Sequence, residues 1–208
     1  MIHDKTSCLS HEECLVPPGD PVFQRYHDEE WGVPQLSNNA FFEKVCLEGF
    51  QSGLSWRTVL HRRKDFRYLF DGFDIDTVAC YDPAKLEALA GDSRIIRNRR
   101  KIASAINNAI RAQQLIEEYG SLAQFFWGFE PAADSRPEYI NRRWLADNPS
   151  TPESTALAKA LKSRGWSFVG PTNMYALMQA LGIVNDHVHG CPRRNPIERL
   201  RSRVTNAR

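Results

Sequence analysis

The chain has 208 residues, of which 42% are apolar, and its 27 lysines and arginines against 25 aspartates and glutamates give a formal net charge of +2. This composition, with a mean hydropathy of −0.48, excludes both a membrane-embedded chain and a disordered acidic chain. The sequence has neither the roughly 18 uninterrupted apolar residues of a membrane helix nor, in residues 1–20, the apolar centre of a secretory signal, so we expect a cytoplasmic protein without membrane association.

Apolar residues recur at steps of three and four along most of the chain, which is the spacing of one helix face. The predicted helices cover residues 41–50, 56–70, 83–89, 102–119, 151–165 and 171–181. Thr151 followed by Pro152 is typical of a helix start, and Gly120 and Gly182 are typical of helix ends. Residues 134–149 are expected to form a loop or a weakly ordered segment. Because no run alternates apolar and polar residues as a strand does, the predicted fold class is all-α.

The basic charge is concentrated near the C-terminus, where residues 192–208 hold six arginines and one glutamate. The remaining residues carry a formal charge of −3, so a nucleic-acid site on the body of the protein has to be a local patch. Since residues 192–208 have almost no apolar periodicity, we expect a basic, disordered tail that adds only nonspecific attraction to phosphates. We further expect a flexible N-terminal extension over residues 1–13 and a single domain over residues 14–191.

Cysteine and histidine residues at the two ends of the chain form matching pairs. Cys14 with His27, and His187 with Cys191, supply one thiolate and one imidazole from each end. Tetrahedral Zn²⁺ accepts two sulfur and two nitrogen ligands, and four protein ligands leave no open position for water. We therefore interpret the set as a closed structural zinc site. The alternative is that His27 is a hydrogen-bonded core histidine and Cys14 a buried thiol.

A carboxylate at Glu48 lies within an apolar helix face, where burying an unpaired charge is costly. The sequence also concentrates aromatic residues in this part of the chain: Phe23, Tyr26, Trp31 and Trp56. Aromatic rings around a carboxylate suit a flat, cationic heteroaromatic ligand through stacking and charge attraction. The alternative is a Glu48 that only forms a salt bridge or a helix-cap hydrogen bond.

Five basic residues fall within residues 94–101, at the junction of two predicted helices. A hairpin of two helices that offers backbone N–H groups and basic side chains to phosphate is suited to clamp DNA. The alternative is a solvated helix face that carries charge without a partner.

In order, these features resemble the 3-methyladenine DNA glycosylase I family. The blocks that carry the resemblance are DPVFQRYHDEEWGVP at 20–34, LEGFQSGLSW at 47–56, IIRNR at 95–99, FVGPT at 168–172 and VNDH at 184–187. The resemblance runs from about Cys14 to Cys191. It implies an all-α helix-hairpin-helix glycosylase of the base-excision repair type with a structural zinc.

The resemblance also implies roles for individual residues. The metal ligands of the family fall on Cys14, His27, His187 and Cys191. Its base-recognition carboxylate falls on Glu48, which we take as the catalytic residue. The base pocket of the family falls on Tyr26, Trp31, Trp56 and Phe23. Phe23 is a departure, because a Tyr is common at its position. The residues expected to contact DNA are Gln51, Gly53 and Leu54 of the loop that probes the base stack and Arg97 and Arg99 of the hairpin. Two further departures are Val16, which replaces an aromatic pocket wall, and Arg94, which replaces a hairpin glycine.

The residues that are absent indicate the chemistry. Between residues 93 and 133 the chain has no Asp to activate water, and Lys101 is its only lysine. Such a protein suits a lesion that is already a good leaving group, such as an N3-alkylated adenine whose positive charge weakens the glycosidic bond. We therefore expect a monofunctional glycosylase whose partner is double-stranded DNA with alkylated bases. A monomer is the usual state for a protein of this size and task. A noncatalytic binder of damaged DNA is the main alternative, and a zinc hydrolase is disfavoured because four ligands saturate the metal.

Overall fold

The protein is described by a computed structural model that covers Cys14 and residues 16–206. The predicted extension over residues 1–13 lies outside the described residues. The α-helices are, in chain order, α1 Pro21–Glu29, α2 Asn38–Gln51, α3 Trp56–Leu60, α4 Arg63–Leu69, α5 Ile75–Ala79, α6 Pro83–Gly91, α7 Arg99–Tyr119, α8 Leu122–Trp127, α9 Arg142–Asp147, α10 Pro152–Ser163, α11 Pro171–Ala180 and α12 Arg194–Asn206. Short 3₁₀ turns cover Asp71–Phe73 and Ala133–Ser135. No strand occurs among the described residues, so the all-α prediction is confirmed there.

The helices with strong end signals form where the sequence predicts them. In α10, Thr151 accepts a hydrogen bond from the Ser154 N–H while Ser154 reciprocates, with Pro152 in the first turn. Helix α7 ends at Gly120, whose φ of 82° suits a glycine that stops a helix. Helix α1 was not predicted, although Asp20 caps it by accepting from the N–H groups of Val22 and Phe23.

The predicted helix over residues 56–70 is wrong in its continuity, since it is two helices, α3 and α4. The backbone leaves the helical region at Arg62, with φ of −100° and ψ of 1°. The Arg62 guanidinium donates to the carbonyls of Ser93 and Arg94, at 2.9 and 3.2 Å. This tertiary contact accompanies the break, and the sequence around residue 62 gives no sign of it.

The prediction of a disordered tail over residues 192–208 is wrong for the described part, because α12 occupies it. Ile197 is fully buried, and one turn later Arg201 is 5% exposed. Arg201 donates to the carbonyls of Gly182 and Ile183, each at 2.7 Å. A guanidinium that binds two backbone carbonyls replaces the apolar residue that a helical pattern leads one to expect at this position.

The predicted loop over residues 134–149 also contains a helix, α9. Asn141 begins it by accepting a hydrogen bond from the N–H of Trp144, at 2.8 Å. Trp144 and Leu145 pack against a cluster of buried residues that includes Ile140 and Val188. The loop is therefore anchored by a short helix of its own.

The chain divides into two compact units, each discontinuous in sequence. Within the described residues, unit 1 comprises residues up to Pro34, Pro131–Pro149 and Met178 onward, and unit 2 comprises Gln35–Glu130 and Ser150–Leu177. The core of unit 2 contains phenylalanines that are at most 1% exposed: Phe41, Phe42, Phe50, Phe66, Phe70 and Phe73. The single domain predicted over residues 14–191 stays a prediction. None of the helices in the described part is both long and apolar enough to span a bilayer.

Candidate functional site

Four side chains of metal-ligand type meet in unit 1. The Sγ atoms of Cys14 and Cys191 and one ring nitrogen each of His27 and His187 lie within 4.8 Å of one another, and all four residues are buried. Cys191 Sγ lies 3.6 Å from His27 Nε2 and 3.4 Å from His187 Nδ1. A tetrahedral zinc ion of ordinary bond lengths separates a sulfur ligand from a nitrogen ligand by about 3.6 Å. The donor set and its geometry therefore fit a metal ion with four protein ligands.

The second ring nitrogen of each histidine faces an oxygen acceptor. His27 Nδ1 lies 2.9 Å from the Asp28 carboxylate, and His187 Nε2 lies 3.0 Å from the carbonyl of Trp31. These acceptors fix the two rings so that His27 Nε2 and His187 Nδ1 face the sulfur atoms. Hydrogen bonding with Cys14, and then with His187 and His27, holds the pKa of the Cys191 thiol well below its ordinary value. A thiolate is the form of cysteine that binds a metal.

Three residues predicted to line a base pocket lie in unit 1, close to these ligands. The Trp31 ring packs 4.6 Å from the His187 ring and 6.1 Å from the His27 ring, centroid to centroid. Phe23 packs against the apolar cluster around Cys14 and Cys191, and its ring meets that of the buried Tyr26 edge-on at 6.2 Å.

Val16, the departure at the pocket wall, belongs to the same apolar cluster and is 6% exposed. It shares that cluster with Cys14, Cys191 and Val188. Val16 is therefore a core residue beside the two thiols in this chain.

The predicted recognition carboxylate lies on α2 in unit 2. Glu48 is 3% exposed, and Lys44, one helical turn earlier, is 6% exposed. Lys44 Nζ lies 2.9 Å from Glu48 Oε1 and 3.5 Å from the centroid of the Trp56 ring. The carboxylate and the indole therefore both contact a single cation, in a part of the protein that excludes most water. The sequence did not single out Lys44, because a lysine in a helix normally extends into solvent.

The backbone behind Glu48 is packed tightly. A Cβ at Gly49 would lie 3.3 Å from the Cβ of Phe168, which leaves little room for a larger residue. Phe168 has a φ of 56°, in the left-handed region that costs a non-glycine residue roughly 1–2 kcal/mol. Asn173 supports this conformation by donating to the Phe168 carbonyl at 3.0 Å and to the Glu48 carbonyl at 3.4 Å. The tight packing of Gly49 against Phe168 and the hydrogen bonds of Asn173 fix the position of the helix turn that carries Glu48.

The predicted DNA-probing loop follows α2 directly. Gly53 has a φ of 77°, and Leu54 is 44% exposed although it is apolar. Lys101, at the start of α7, is buried and donates to the carbonyls of Phe50 and Ser52, at 2.8 and 2.5 Å. Burial lowers the pKa of Lys101. Lys101 therefore anchors the base of this loop, a role that the sequence analysis missed, and does not contribute an exposed charge to the predicted basic patch.

Gln51, the first residue of that predicted loop, is the last residue of α2 and is half-buried. Its carbonyl accepts a hydrogen bond from the Leu54 N–H at 2.6 Å, which closes the turn that contains Gly53. The turn leaves Gly53 and Leu54 exposed at its outer side.

The predicted helical hairpin is formed by α6, residues 92–98 and α7. The described non-glycine residues with positive φ are Asp71, Phe73 and Phe168, so Arg94 takes an ordinary backbone conformation in place of the expected glycine. Arg94 is held by the Asp92 carboxylate, which accepts from its Nη2 at 2.6 Å and from its backbone N–H at 2.9 Å. The hairpin turn is therefore stabilised by an ion pair.

Only some of the basic residues in the hairpin carry an uncompensated charge. Arg99 pairs with Glu87 across the two helices. Within the described part of the chain, the ion pairs of the hairpin are those of Arg94 with Asp92 and of Arg99 with Glu87, and Arg97 and Arg100 are exposed outside them. The positive surface of the hairpin therefore depends on two arginines more than on the five bases counted in the sequence.

Known proteins resemble this chain over most of its length. A family model described as methyladenine glycosylase matches residues 17–194. The chain is 45% identical over 182 residues to DNA-3-methyladenine glycosylase 1 of Escherichia coli, a match that covers 86% of this chain and 95% of that relative. It is 39% identical over 176 residues to the DNA-3-methyladenine glycosylase of Haemophilus influenzae, covering 82% and 91% of the two chains.

The fold of this chain is similar to the folds of solved structures of 3-methyladenine DNA glycosylase I. A crystal structure of 3-methyladenine DNA glycosylase I, 44% identical, matches with a TM-score of 0.78 and covers 86% of this chain and 98% of that chain. A crystal structure of a variant of 3-methyladenine DNA glycosylase I in complex with 3-methyladenine matches with a TM-score of 0.80 at 28% identity, covering 88% and 97% of the two chains.

Proposed function

The chain belongs to the methyladenine glycosylase family and is a glycosylase, and on that premise we propose that it hydrolyses the N-glycosidic bond of 3-methyladenine in alkylated double-stranded DNA. The relatives named above are DNA-3-methyladenine glycosylases, and one matching structure contains 3-methyladenine. These similarities support the substrate, and the residues of unit 2 support the way in which it is recognised.

The observation that carries the proposal is the arrangement of Glu48 and Trp56 around one cation. The Lys44 ammonium contacts the carboxylate and the indole at once, so a single positive group can be bound by both. A cationic purine stacks on an aromatic ring and forms charge-assisted hydrogen bonds with a carboxylate. Neutral adenine lacks the charge, so the pair would favour the alkylated base.

The chemistry then requires little from the protein beyond extraction and orientation of the base. The alkylated nucleotide leaves the base stack, its base stacks on Trp56, and Glu48 orients it. The positive charge on the base weakens the glycosidic bond. Water adds to C1′ and loses a proton, and the base departs as a neutral molecule.

Two further parts of the proposal concern DNA and metal. The exposure of Leu54 supports the proposal that the loop of Gln51, Gly53 and Leu54 enters the space left by the extruded nucleotide. Exposed Arg97 would contact the phosphates. Zinc bound by Cys14, His27, His187 and Cys191 would supply structural cross-linking and no chemistry, since its four ligands are protein atoms. A base pocket that also includes Phe23, Tyr26 and Trp31, a monomeric state and a cytoplasmic location stay predictions.

The decisive experiment is release of free base from alkylated duplex DNA by the parent and by Glu48→Gln. Gln keeps the shape of Glu and removes the charge, which contributes on the order of 1.5–3 kcal/mol to a hydrogen bond. We expect Glu48→Gln to excise 3-methyladenine about ten- to a hundredfold more slowly, at roughly 1.4 kcal/mol per factor of ten.

Glu43→Gln is the matched control. Glu43 lies on the same helix, is 9% exposed and pairs with Arg63 and Arg67. It should lose stability while the folded fraction keeps its specific activity. A parent that binds alkylated DNA without releasing base would favour the noncatalytic binder. A Glu48→Gln protein as active as the parent would remove Glu48 from base recognition.

A further inference from the structure

Lys44 holds the position that the proposed function assigns to the substrate base. Its ammonium lies over the Trp56 ring, 3.5 Å from the centroid, well within the distance of about 6 Å for a cation–π contact. The same ammonium lies 2.9 Å from Glu48 Oε1. We call the space over the Trp56 ring beside the Glu48 carboxylate the cation seat.

The lysine side chain is enclosed in this position. The Lys44 side chain is 7% exposed and that of Glu48 is 3% exposed. An ammonium is strongly hydrated, so its burial costs free energy that the carboxylate and the ring have to offset. Lys44 and Glu48 are one turn apart on α2, and both therefore project from the same face of the helix.

We propose that Lys44 is a built-in occupant of the cation seat, which the extruded base must displace before it can stack on Trp56 and bind Glu48. This inference rests on the proposed function, because it identifies what the seat contains between catalytic cycles. One face of an indole cannot hold an ammonium at 3.5 Å and a purine ring at the same time. Lys44 is thus a specificity-determining residue that acts by competition.

The competition has a consequence for selectivity. Any base that enters the seat separates Lys44 from Glu48 and leaves the carboxylate without that partner. A cationic base replaces the lost charge, whereas a neutral base leaves a buried carboxylate unpaired, which is costly. The lysine therefore makes occupation of the seat by a neutral base unfavourable and weakens base binding in general.

The first test compares the affinity of the parent, Lys44→Met and Lys44→Arg for free 3-methyladenine, measured by Trp fluorescence or calorimetry. The free base is neutral, so its binding measures the displacement of Lys44 alone, without the charge that the base carries in DNA. Met has a similar length without the charge, and Arg keeps the charge and the ability to stack on an indole. A cation over a ring contributes about 1–2 kcal/mol when desolvated, so Lys44→Met should bind the base about tenfold more tightly. Lys44→Arg should stay close to the parent. Equal or weaker binding by Lys44→Met overturns the proposal.

The second test uses the parent protein, so it does not depend on the folding of a variant. An indole ring current shifts the proton resonances of the Lys44 ε-methylene upfield. On saturation with 3-methyladenine these resonances should move to the values of an ordinary lysine. If they stay upfield in the saturated protein, Lys44 remains over Trp56 and the proposal is wrong. Lys64→Met, at an exposed position, is the control that should change neither affinity nor spectrum.

The outcomes separate this inference from the proposed function. If the parent releases 3-methyladenine from duplex DNA but Lys44 neither moves nor affects affinity, only the role of Lys44 is wrong. If the parent releases no base and binds none, the proposed function fails and the role of Lys44 fails with it.

Discussion

Asp92 holds the turn between α6 and α7 through its contacts with one neighbouring residue. It accepts hydrogen bonds from the side chain and the N–H of Arg94, two residues later. The Arg94 side chain, followed by its backbone N–H, lowers the pKa of Asp92 from its ordinary 3.8 to about 2. Because the folded-state pKa is below the ordinary value, this ion pair contributes its stability above pH 3.8 and loses it as pH falls through 2.

The first prediction follows from that shift. In a titration followed by NMR of the Asp92 carboxyl carbon, the parent should show a midpoint near pH 2. Arg94→Met should return the midpoint towards 3.8, because the largest cause of the shift is removed. Arg100→Met, an exposed change on α7, is the control and should leave it in place. A parent midpoint near 3.8 would show that Asp92 does not hold the turn.

Two lysines show why residue type alone did not predict their roles. Lys44 and Lys101 are both buried, one against an indole and a carboxylate and the other against two carbonyls. Their partners lie 4 to 51 residues away, and a lysine pattern in a helix is the same whether the side chain is solvated or enclosed. The sequence identified Glu48 because an acid on an apolar face is unusual, but it could not identify the cation beside it.

At the scale of elements, the hairpin of α6 and α7 carries arginines of two kinds. Arg99 is paired with Glu87, whereas Arg97 is exposed and can contact DNA phosphates. Replacing an arginine that contacts a phosphate reduces the slope of log affinity against log salt by about 0.9. We therefore expect Arg97→Gln to weaken binding to duplex DNA and to flatten the slope by that amount. The measurement is a salt titration of DNA affinity at several ionic strengths.

Arg99→Gln is the comparison that tests the argument. Arg99 already pairs with Glu87, so its loss should change the salt slope less than the loss of Arg97. Glu87→Gln, which releases Arg99, should steepen the slope. If Arg97→Gln leaves the slope unchanged, the hairpin is not the phosphate clamp, and the arginines of α12 are the next positions to replace.

For helix α12, the prediction concerns the stability of the folded protein. It extends beyond the residues matched by the family model, which end at 194. Arg201→Met would leave the buried carbonyls of Gly182 and Ile183 without their guanidinium donor, at about 1–3 kcal/mol for each unsatisfied group. The two groups together amount to about 2–6 kcal/mol, so at roughly 2–4 °C per kcal/mol the melting temperature should fall by on the order of 4–24 °C. Arg199→Met, exposed on the same helix, should melt like the parent.

The helices that the sequence predicted well are those whose ends are encoded locally. Thr151 with Pro152 and Gly120 fix ends of α10 and α7 through contacts within a few residues. At the break at Arg62 and in α12, by contrast, side chains bind the carbonyls of residues that are distant in the sequence. Period and capping residues carry no information about such partners, which is why those two features were mispredicted.

At the scale of the whole molecule, the metal-ligand cluster brings together two of the stretches of chain that make up unit 1. Unit 1 consists of three separate stretches of chain, and the cluster takes Cys14 and His27 from the first and His187 and Cys191 from the third. The sequence predicted this set correctly as a candidate metal site because thiolate and imidazole pairs are chemically distinctive. The acceptors that face the other ring nitrogens of the two histidines, Asp28 and the Trp31 carbonyl, were identified only in the structure.

Metal binding can be tested both at a ligand, Cys191, and at the carboxylate of Asp28, which faces His27. The purified parent should contain about one zinc per chain, and Cys191→Ala should lose it and melt at a lower temperature, because metal binding adds to the stability of the folded state. Asp28→Asn keeps the shape of the carboxylate that faces His27 Nδ1 at 2.9 Å but removes its charge. Loss of such a partner typically costs 10- to 100-fold in metal affinity, measurable by competition with a chelator. Glu29→Gln, exposed on the next residue, should bind zinc like the parent. Full zinc occupancy and unchanged melting in Cys191→Ala would exclude Cys191 from the site, and because the cluster was assigned as one set, it would reopen the interpretation of His27 as a hydrogen-bonded core histidine.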